Sequence, residues 1–145
     1  MAQILYTVSP ELHNEFEFEY APEWYGRFGL GYYGCCEPLE DRMEYVKRIP
    51  NIRKISTSAF VRNYDRMSEA IEQKYVMSFK PAPSLVTHSA WNPEVVEKNL
   101  RMLLKSAQRY GNTCEFTLKD ISTVEHHPEH LTEWSEIMRR VINEG

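Results

Sequence analysis

Four strand-like segments that alternate with four helix-like stretches constrain the fold of this chain more than any other feature. Residues 30–36, 52–58, 75–80 and 114–121 are rich in aromatic, β-branched and apolar side chains, the composition that strands prefer. Each is followed by a stretch whose apolar residues recur at helical spacing. Because parallel neighbouring strands need a crossover connection, which a helix usually supplies, this alternation predicts a parallel sheet with helices packed on it.

The four crossover helices are predicted from their apolar faces. Their apolar positions are Leu39, Met43 and Val46; Tyr64, Met67 and Ile71; Val96, Leu100, Leu103 and Ala107; and Leu131, Trp134, Met138 and Val141. The third helix also has marked ends. Asn92 supplies a capping side chain before Pro93, and Gly111 is the residue type that favours the left-handed conformation found at helix ends.

A leading helix is predicted before the first strand. Ser9-Pro10-Glu11 combines a capping side chain, a proline at the first helical position and an acid in the first turn. The helix carries Leu12 and Phe16 and extends to about Tyr20. Pro22 is expected to end or kink it, because proline lacks the backbone N–H that a helix interior needs.

Two architectures fit this order of elements: an open doubly wound sheet, or part of a barrel. Dinucleotide-binding doubly wound folds place a glycine-rich loop directly after a strand. Here the glycine cluster, Gly26, Gly29, Gly31 and Gly34, precedes and enters the first strand. We therefore predict an α/β half-barrel, in which residues 1–145 form a single domain of four βα units of a TIM (β/α)₈ barrel preceded by one helix.

Composition argues against several classes of protein. The net charge of −4 and the scattered basic residues provide no basic surface for nucleic acid. No apolar run approaches the ~20 residues that span a bilayer, and the first residues lack the pattern of a signal peptide. Three cysteines, of which Cys35 and Cys36 are adjacent, are typical of a reducing compartment. We therefore expect a cytoplasmic protein that binds neither nucleic acid nor a membrane.

The candidate site residues lie at the carboxyl ends of the predicted strands, where parallel α/β proteins bind their ligands. Polar groups at the ends of buried strands need partners, and a ligand can be one of them. We predict that Cys36, Glu37, Lys80 and Asp120 are catalytic and that Tyr33, Cys35, Ser56, Ser58, Ser78 and Lys119 bind substrate.

The sequence leaves a structural explanation open for each of these groups. The adjacent cysteines have the size and polarity of small buried residues. Lys80 can extend from an apolar run to the rim of the sheet, and Glu37 can complement the dipole of the helix that follows it. Lys119 and Asp120 can simply form an ion pair.

The histidines are not predicted to bind metal. His126 and His127 are adjacent, so their side chains point apart on most backbones, and we interpret them as solvated loop residues. The remaining histidines, His130 included, have no partner at the i, i+4 spacing of a helical metal pair.

Four motifs occur in a fixed order: RFGLGYYGCCEPL at residues 27–39, NIRKIS at 51–56, YVMSFKP at 75–81 and FTLKDI at 116–121. Together they resemble the C-terminal half of the uroporphyrinogen decarboxylase-like proteins, a superfamily that includes zinc-dependent methyltransferases acting on methylated corrinoids and thiols. The resemblance covers nearly the whole chain. It implies a (β/α)₈ barrel in which these strands are the fifth to the eighth.

The resemblance also implies a zinc site made of a His-x-Cys pair on the fifth strand and a cysteine late in the barrel. Cys36 or Cys35 can take the first cysteine position, but the histidine position is then Gly34 or Tyr33. Cys114 opens the last strand, at the end away from the expected site. We therefore expect no tightly bound cofactor in this chain, with zinc or a corrinoid possible in a complete enzyme and Cys36 as the single candidate metal ligand.

For a complete methyltransferase, the resemblance implies roles for the strand-end residues. A thiolate from Cys36, or from Cys35, binds metal or the thiol substrate. Glu37 orients the site or acts as acid and base. Lys80 neutralises an anionic group, and Asp120 orients Lys80.

We expect the isolated half to be inactive, because the decarboxylase's arginines and catalytic aspartate belong to the other half of the barrel. The alternative is a non-catalytic interaction module that binds a corrinoid protein or completes a partner barrel. A half-barrel exposes two strand edges and the inner faces of its strands, which we expect to include Ile55, Phe79 and Phe116 or their neighbours. We therefore predict a homodimer, or association with the missing N-terminal half.

Overall fold

A computed structural model describes residues 3–34, 36–87, 91–119 and 121–145 of the chain. Its centre is a four-stranded parallel sheet in the order β1-β2-β3-β4. The strands are β1 (Gly31–Tyr33), β2 (Ile52–Ser58), β3 (Val76–Lys80) and β4 (Thr113–Phe116). The predicted α/β class and the four parallel strands are confirmed.

Helices connect the strands, as the alternating pattern predicts. They are α1 (Pro10–His13), α2 (Ala21–Tyr25), α3 (Met43–Val46), α4 (Tyr64–Ile71), α5 (Ser84–Thr87), α6 (Pro93–Arg109) and α7 (Glu129–Glu144), with a 3₁₀ turn over Gln3–Thr7. None of the helices in the described part of the chain is long and apolar enough to cross a bilayer.

The leading segment differs from the single continuous helix predicted for it. Ser9 caps α1 as expected, since its Oγ accepts a hydrogen bond from the backbone N of Leu12 at 3.2 Å. After one turn the helix widens into a π-helix over Asn14–Phe18, and α2 begins at Ala21. Pro22 does not end a helix. It lies in the first turn of α2, where its fixed φ suits a helix and no N–H is needed.

Helix α6 has the predicted ends. The Oδ1 of Asn92 accepts a hydrogen bond from the backbone N of Val95 at 3.1 Å. At the other end Gly111 has φ +68°, in the left-handed region that glycine adopts at little cost. The predicted strands at 30–36 and 114–121 are longer than the observed ones. Beyond β4, one further backbone bond joins the N of Thr117 to the O of Phe79 at 2.9 Å.

The helices cover the face of the sheet that carries Ile55, Met77 and Phe79, each with no exposed surface. The helix residues of this core include Met43, Val46, Met67, Ile71, Leu103 and Ala107. Of the two alternatives predicted for the uncovered face, it is the strand neighbours of Ile55, Phe79 and Phe116 that lie there, and not these three residues. Ile55 and Phe79 belong to the core beneath the helices, and Phe116 packs against it.

A second apolar cluster joins α5, α6 and α7. It contains Val86, Val96, Leu100, Trp134, Ile137 and Val141, with Phe116, Leu118 and Ile121 packed against it. This cluster fixes the loop that follows β3 and the loop that follows β4 to the same pair of helices. Both loops begin at the carboxyl end of the sheet.

Candidate functional site

The face of the sheet opposite the helices is polar, and a hydrogen-bonded network extends across it. We call it the open face, carried by Tyr32, Lys54, Ser56, Ser78, Lys80 and Glu115. The Nζ of Lys54 donates to Glu115 Oε2 at 2.8 Å, and Ser78 Oγ donates to Glu115 Oε1 at 2.8 Å. The hydroxyl of Tyr32 donates to Ser78 Oγ at 3.1 Å. One network therefore contacts all four strands.

The register of the strands aligns these side chains. Ser56 is paired with Ser78, Ser78 with Glu115, and Ser58 with Lys80. Paired residues of a parallel sheet present their side chains on the same face, and alternate residues of one strand do so as well. The alternation that sends Ile55 and Thr57 towards the helices therefore sends Lys54, Ser56 and Ser58 to the open face.

The network is accessible to solvent while its small side chains are covered. The side chains of Lys54 and Glu115 are 36% and 37% exposed, and Tyr32 is 41% exposed. Ser56 and Ser78 are buried beneath these larger groups. The helices of the described residues pack on the opposite face, and hydroxyls covered by charged side chains form the floor of a polar pocket more readily than part of an apolar core.

The charges of the open face are arranged around Glu115. Burial disfavours its charged form, but hydrogen bonds from Lys54 and Ser78, together with the charge of Lys54, outweigh that effect. The pKa of Glu115 is therefore below its ordinary value, and the group is a carboxylate at neutral pH.

Lys80 is the second cation of the open face. Its Nζ lies 5.4 Å from the centroid of the Tyr32 ring, within the range of a cation–π contact. In the described part of the chain Lys80 forms no ion pair with a carboxylate, whereas Lys54 is neutralised by Glu115. An anionic group at the carboxyl end of β3 would find its charge partner in Lys80.

The loop after β1 is attached to the end of β2 near Lys80. Ser58 Oγ donates to the backbone O of Cys36 at 2.6 Å and accepts from the backbone N of Phe60 at 3.1 Å. A Cβ placed on Gly34 would lie 3.8 Å from Lys80 Nζ. Lys80, the end of β1 and the Cys36 loop are therefore neighbours.

The structure thus brings four of the predicted residues together at one end of the open face: Ser56, Ser58, Ser78 and Lys80. Cys36 and Glu37 follow β1, and both are half-buried. Lys119 is also half-buried, three residues beyond β4. Cys35 and Asp120 lie outside the described residues.

Tyr33 is placed differently from its predicted role. It is buried on the helix side of the sheet, and its hydroxyl donates to Glu17 Oε1 at 2.9 Å. This position does not fit substrate binding on the open face, because successive residues of a strand point to opposite faces. Tyr32, its neighbour in β1, is the tyrosine that the open face presents.

Cys114 lies on the helix side of β4, where it is paired with Met77 and packs against the core. Burial raises the pKa of its thiol above the ordinary value, so the reactive thiolate is scarce at neutral pH. Cys114 and Cys36 are both present as thiols.

Sequence reasoning missed Tyr32, Lys54 and Glu115, although a pattern pointed to two of them. Lys54 follows Arg53 between Ile52 and Ile55 inside the second strand, and Glu115 lies inside the last strand. A charged residue within a strand must face water or a partner. Extending the alternation backwards from Ser56 would have found Lys54.

A second cluster of potential ligands lies at the start of α7. His127, Glu129 and His130 place one ligand atom each within 4.8 Å of one another. The interpretation of His127 as a solvated loop residue describes its half-exposed side chain but misses its neighbours. The sequence pattern that could have found the cluster is His-x-x-His at a predicted helix start, with the acid between.

Comparison of the chain with protein-family models, with curated proteins and with solved structures finds no match. A functional assignment therefore depends on these side chains and their geometry. The open face combines two lysines, one carboxylate and several hydroxyls, of which Lys80 and Ser58 lie at the carboxyl ends of their strands. Such a surface can bind an anionic ligand and orient it by hydrogen bonds.

Proposed function

We propose that this chain supplies four consecutive βα units of a (β/α)₈ barrel of the uroporphyrinogen decarboxylase-like type, and that the complete barrel transfers a methyl group from a corrinoid to a thiol. The observation that carries the proposal is the network of Tyr32, Lys54, Ser78 and Glu115 on the open face. In a barrel that face is the interior, where a polar pocket is built.

Sheet topology favours the barrel over the open doubly wound sheet. A doubly wound sheet carries helices on both faces, and its buried strands are apolar on both sides. Here one face carries charged and hydroxyl side chains along its whole width. The strand order β1-β2-β3-β4 is also sequential, with no reversal that would create a switch point.

Zinc of the kind that the family resemblance implies does not fit the residues of β1. The histidine position is Gly34, which has no donor atom, or Tyr33, whose hydroxyl is directed at Glu17 on the helix side. Cys114 lies on the helix side as well. Among these positions in the described residues Cys36 remains, and a catalytic zinc needs three protein ligands. We therefore derive no step of the reaction through a zinc ion at this place.

The proposed chemistry uses the chain's own thiol and cation. Cys36 would hold the thiol substrate beside the ammonium of Lys80. A methylcorrinoid, when bound, would supply the methyl group, and the substrate sulfur would form its S–C bond as the bond from the methyl group to the corrinoid breaks, with the electron pair staying on the corrinoid. Lys80 and the hydroxyls of Ser56 and Ser78 hold the anionic groups of the substrate, and Glu37 acts as acid or base.

The test uses methylcobalamin and a small thiol with the complete barrel protein under anaerobic conditions, followed by the change in cobalamin absorbance. Cys36→Ser should abolish methyl transfer, and Lys80→Met should lower it at least about tenfold by removing a charge partner. The matched controls are Cys114→Ser, on the helix side, and Lys105→Met, exposed on α6. Full activity of the Cys36→Ser protein would contradict the proposed role of the thiol.

A non-catalytic interaction module is the second candidate, and an exposed aromatic surface favours it. Phe16, Tyr20 and Trp24 are 61%, 62% and 59% exposed and line one shallow groove, the aromatic groove, beside β1. A large exposed aromatic surface often marks the place where a partner protein binds. This candidate would be favoured over the enzyme by two results together. The complete protein would transfer no methyl group, and Trp24→Ser would weaken binding to a partner or self-association.

A further inference from the structure

His127, Glu129 and His130 form a cluster that is distinct from the open face. His127 Nδ1 and Glu129 Oε1 are 2.8 Å apart, and the rings of His127 and His130 are stacked with their centroids 5.0 Å apart. His130 opens α7 and belongs to the same apolar environment as the loop after β3. The three side chains therefore connect the loops that follow β3 and β4.

His130 is held in the geometry of a metal ligand. It is buried, its ring stacks on Trp91 at 4.7 Å between centroids, and its Nδ1 is 3.2 Å from the backbone O of Val86. A carbonyl oxygen only accepts, so Nδ1 carries the proton and Nε2 carries the lone pair. Metal-binding histidines typically donate their other N–H to a backbone carbonyl or a carboxylate in this way, which fixes the tautomer.

Glu129 supplies a charged ligand beside the two imidazoles. Its Oε1 lies 2.8 Å from Nδ1 of His127, and its ligand oxygen is within 4.8 Å of the ligand nitrogens of both histidines. Two imidazoles and one carboxylate are a ligand set that proteins use for catalytic zinc.

We infer that His127, Glu129 and His130 form a binding site for a divalent transition metal ion, with zinc as the fitting member of the class. Zinc accepts nitrogen and oxygen ligands in a tetrahedral arrangement, and three protein ligands leave a fourth position for water or a substrate group. This inference does not depend on the proposed methyl transfer, because it uses none of the residues of the open face.

Binding requires one movement, and the structure permits it. The stacked rings cannot both direct a nitrogen at the same ion, since a ligand nitrogen binds along the plane of its ring. The side chain of His127 is 50% exposed and can rotate out of the stack, whereas His130 is fixed by Trp91 and Val86. Glu129 is 54% exposed and is equally able to adjust.

The site would lie on the side of the sheet where ligands of parallel α/β proteins bind, because both contributing loops follow strand ends. The expectation of no tightly bound metal left Cys36 as the single candidate ligand and interpreted His126 and His127 as solvated loop residues. The structure supplies a different set of donors, 90 residues or more along the chain from that cysteine.

The test is a calorimetric titration of chelator-treated protein with Zn²⁺, repeated in a Cys36→Ser background so that the β1 loop contributes no thiol. One Zn²⁺ per chain is expected in both proteins. Glu129→Gln and His127→Asn change exposed side chains and should weaken Zn²⁺ binding at least about tenfold, since loss even of a group supporting a ligand costs that much. A Co²⁺ titration should give visible absorption bands and should change the fluorescence of Trp91.

The matched control is His126→Asn, the adjacent histidine, which lies outside the cluster and whose positive φ of 69° asparagine tolerates. It should bind Zn²⁺ as the parent protein does. Thermal unfolding of the metal-free variants shows whether each keeps its fold. Absence of stoichiometric binding, or equal binding by the Glu129→Gln, His127→Asn and His126→Asn proteins, would overturn the inference and leave the proposed methyl transfer untouched.

Discussion

His13 is a buried histidine that connects the leading segment to the rest of the molecule. Its Nδ1 accepts a hydrogen bond from Arg42 Nε at 3.0 Å, so its Nε2 carries the proton and donates to Glu17 at 3.2 Å. Arg42 also donates to the backbone O of Tyr6 and of Val8. The ring is further stacked on Phe18 at 4.4 Å between centroids. This contact requires neutral histidine, because protonated Nδ1 could not accept from arginine.

We predict that the protein loses stability on mild acidification through His13. Burial lowers the pKa of His13 below its ordinary value, despite the opposing effect of Glu17. The unfolded chain then binds a proton near pH 6.5 while the folded chain does not, so the free energy of unfolding falls as pH drops below about 6.5. One proton contributes at most about 1.4 kcal/mol per pH unit. Urea unfolding at a series of pH values between about 7.5 and 5.5 measures this dependence of stability on pH. His13→Gln should have a shallower dependence, and an unchanged slope would contradict the assignment.

The two described thiols should differ in reactivity. Cys114 is half-buried against the helices and its pKa is raised, so we predict slow alkylation by iodoacetamide at neutral pH and fast alkylation in urea. Peptide mass spectrometry separates Cys114 from the adjacent pair. The ratio of native to urea rates is the measurement, and a Cys114 that reacts equally fast in both would show that the sheet and helices do not protect it.

At the scale of single elements, the C-terminal end of α6 tests whether a left-handed backbone position requires glycine. Gly111 has φ +68°, and a Cβ there would come within 2.7 Å of the Gln73 side chain. We predict that Gly111→Ala lowers the free energy of unfolding by about 1–2 kcal/mol, the cost of a left-handed backbone for a residue with a side chain. Gly29→Ala is the control, because a Cβ at Gly29 meets nothing within 4 Å. Urea unfolding of both variants measures the two losses of stability, and equal losses would refute the prediction.

At the scale of the whole molecule, we predict self-association, although one of its predicted causes has changed. The uncovered face of the sheet is polar, so it does not drive association by apolar burial. Two features still favour association: the exposed edges of β1 and β4, and the aromatic groove. One contact opposes them, since the hydroxyl of Tyr25 donates to the backbone O of Tyr32 at 3.1 Å and satisfies one edge carbonyl of β1.

Light scattering coupled to size exclusion at micromolar concentration tests this prediction. We expect a two-fold dimer of the 17.1 kDa chain, because isologous contacts satisfy both partners at once. Trp24→Ser should shift the equilibrium towards monomer if the aromatic groove takes part, whereas Met102→Ser, at an exposed position on α6, should not. A monomer across the whole dilution series would reject self-association.

We also predict that the 145-residue chain alone has no detectable decarboxylase or methyltransferase turnover. Groups that act as a unit lose nearly all of their effect when part of the unit is removed, and a half-barrel offers half of a pocket. Assays of the purified chain on uroporphyrinogen, and on methylcobalamin with a thiol, measure it. Robust turnover on either substrate would show that the four βα units form a complete site.

The sequence by itself determined the elements of this protein and their order. Apolar periodicity, the Asn92 cap and the Gly111 terminator act within a few residues, so the strands β1 to β4 and the helix α6 could be predicted from local pattern. Strand-end residues such as Ser78 and Lys80 could be predicted too, because every parallel sheet directs its carboxyl ends to one edge.

Only the tertiary structure decided which face of the sheet the helices cover and which polar groups meet on the other. Lys54 and Glu115 are 61 residues apart, and Val86 and His130 are 44 apart. No local pattern specifies such contacts, because they arise when strand register and helix packing are set together by burial of the core. For the same reason the sequence left open whether Ile55 and Phe79 or their neighbours lie on the uncovered face: alternation shows that two faces differ, and only packing shows which one is covered.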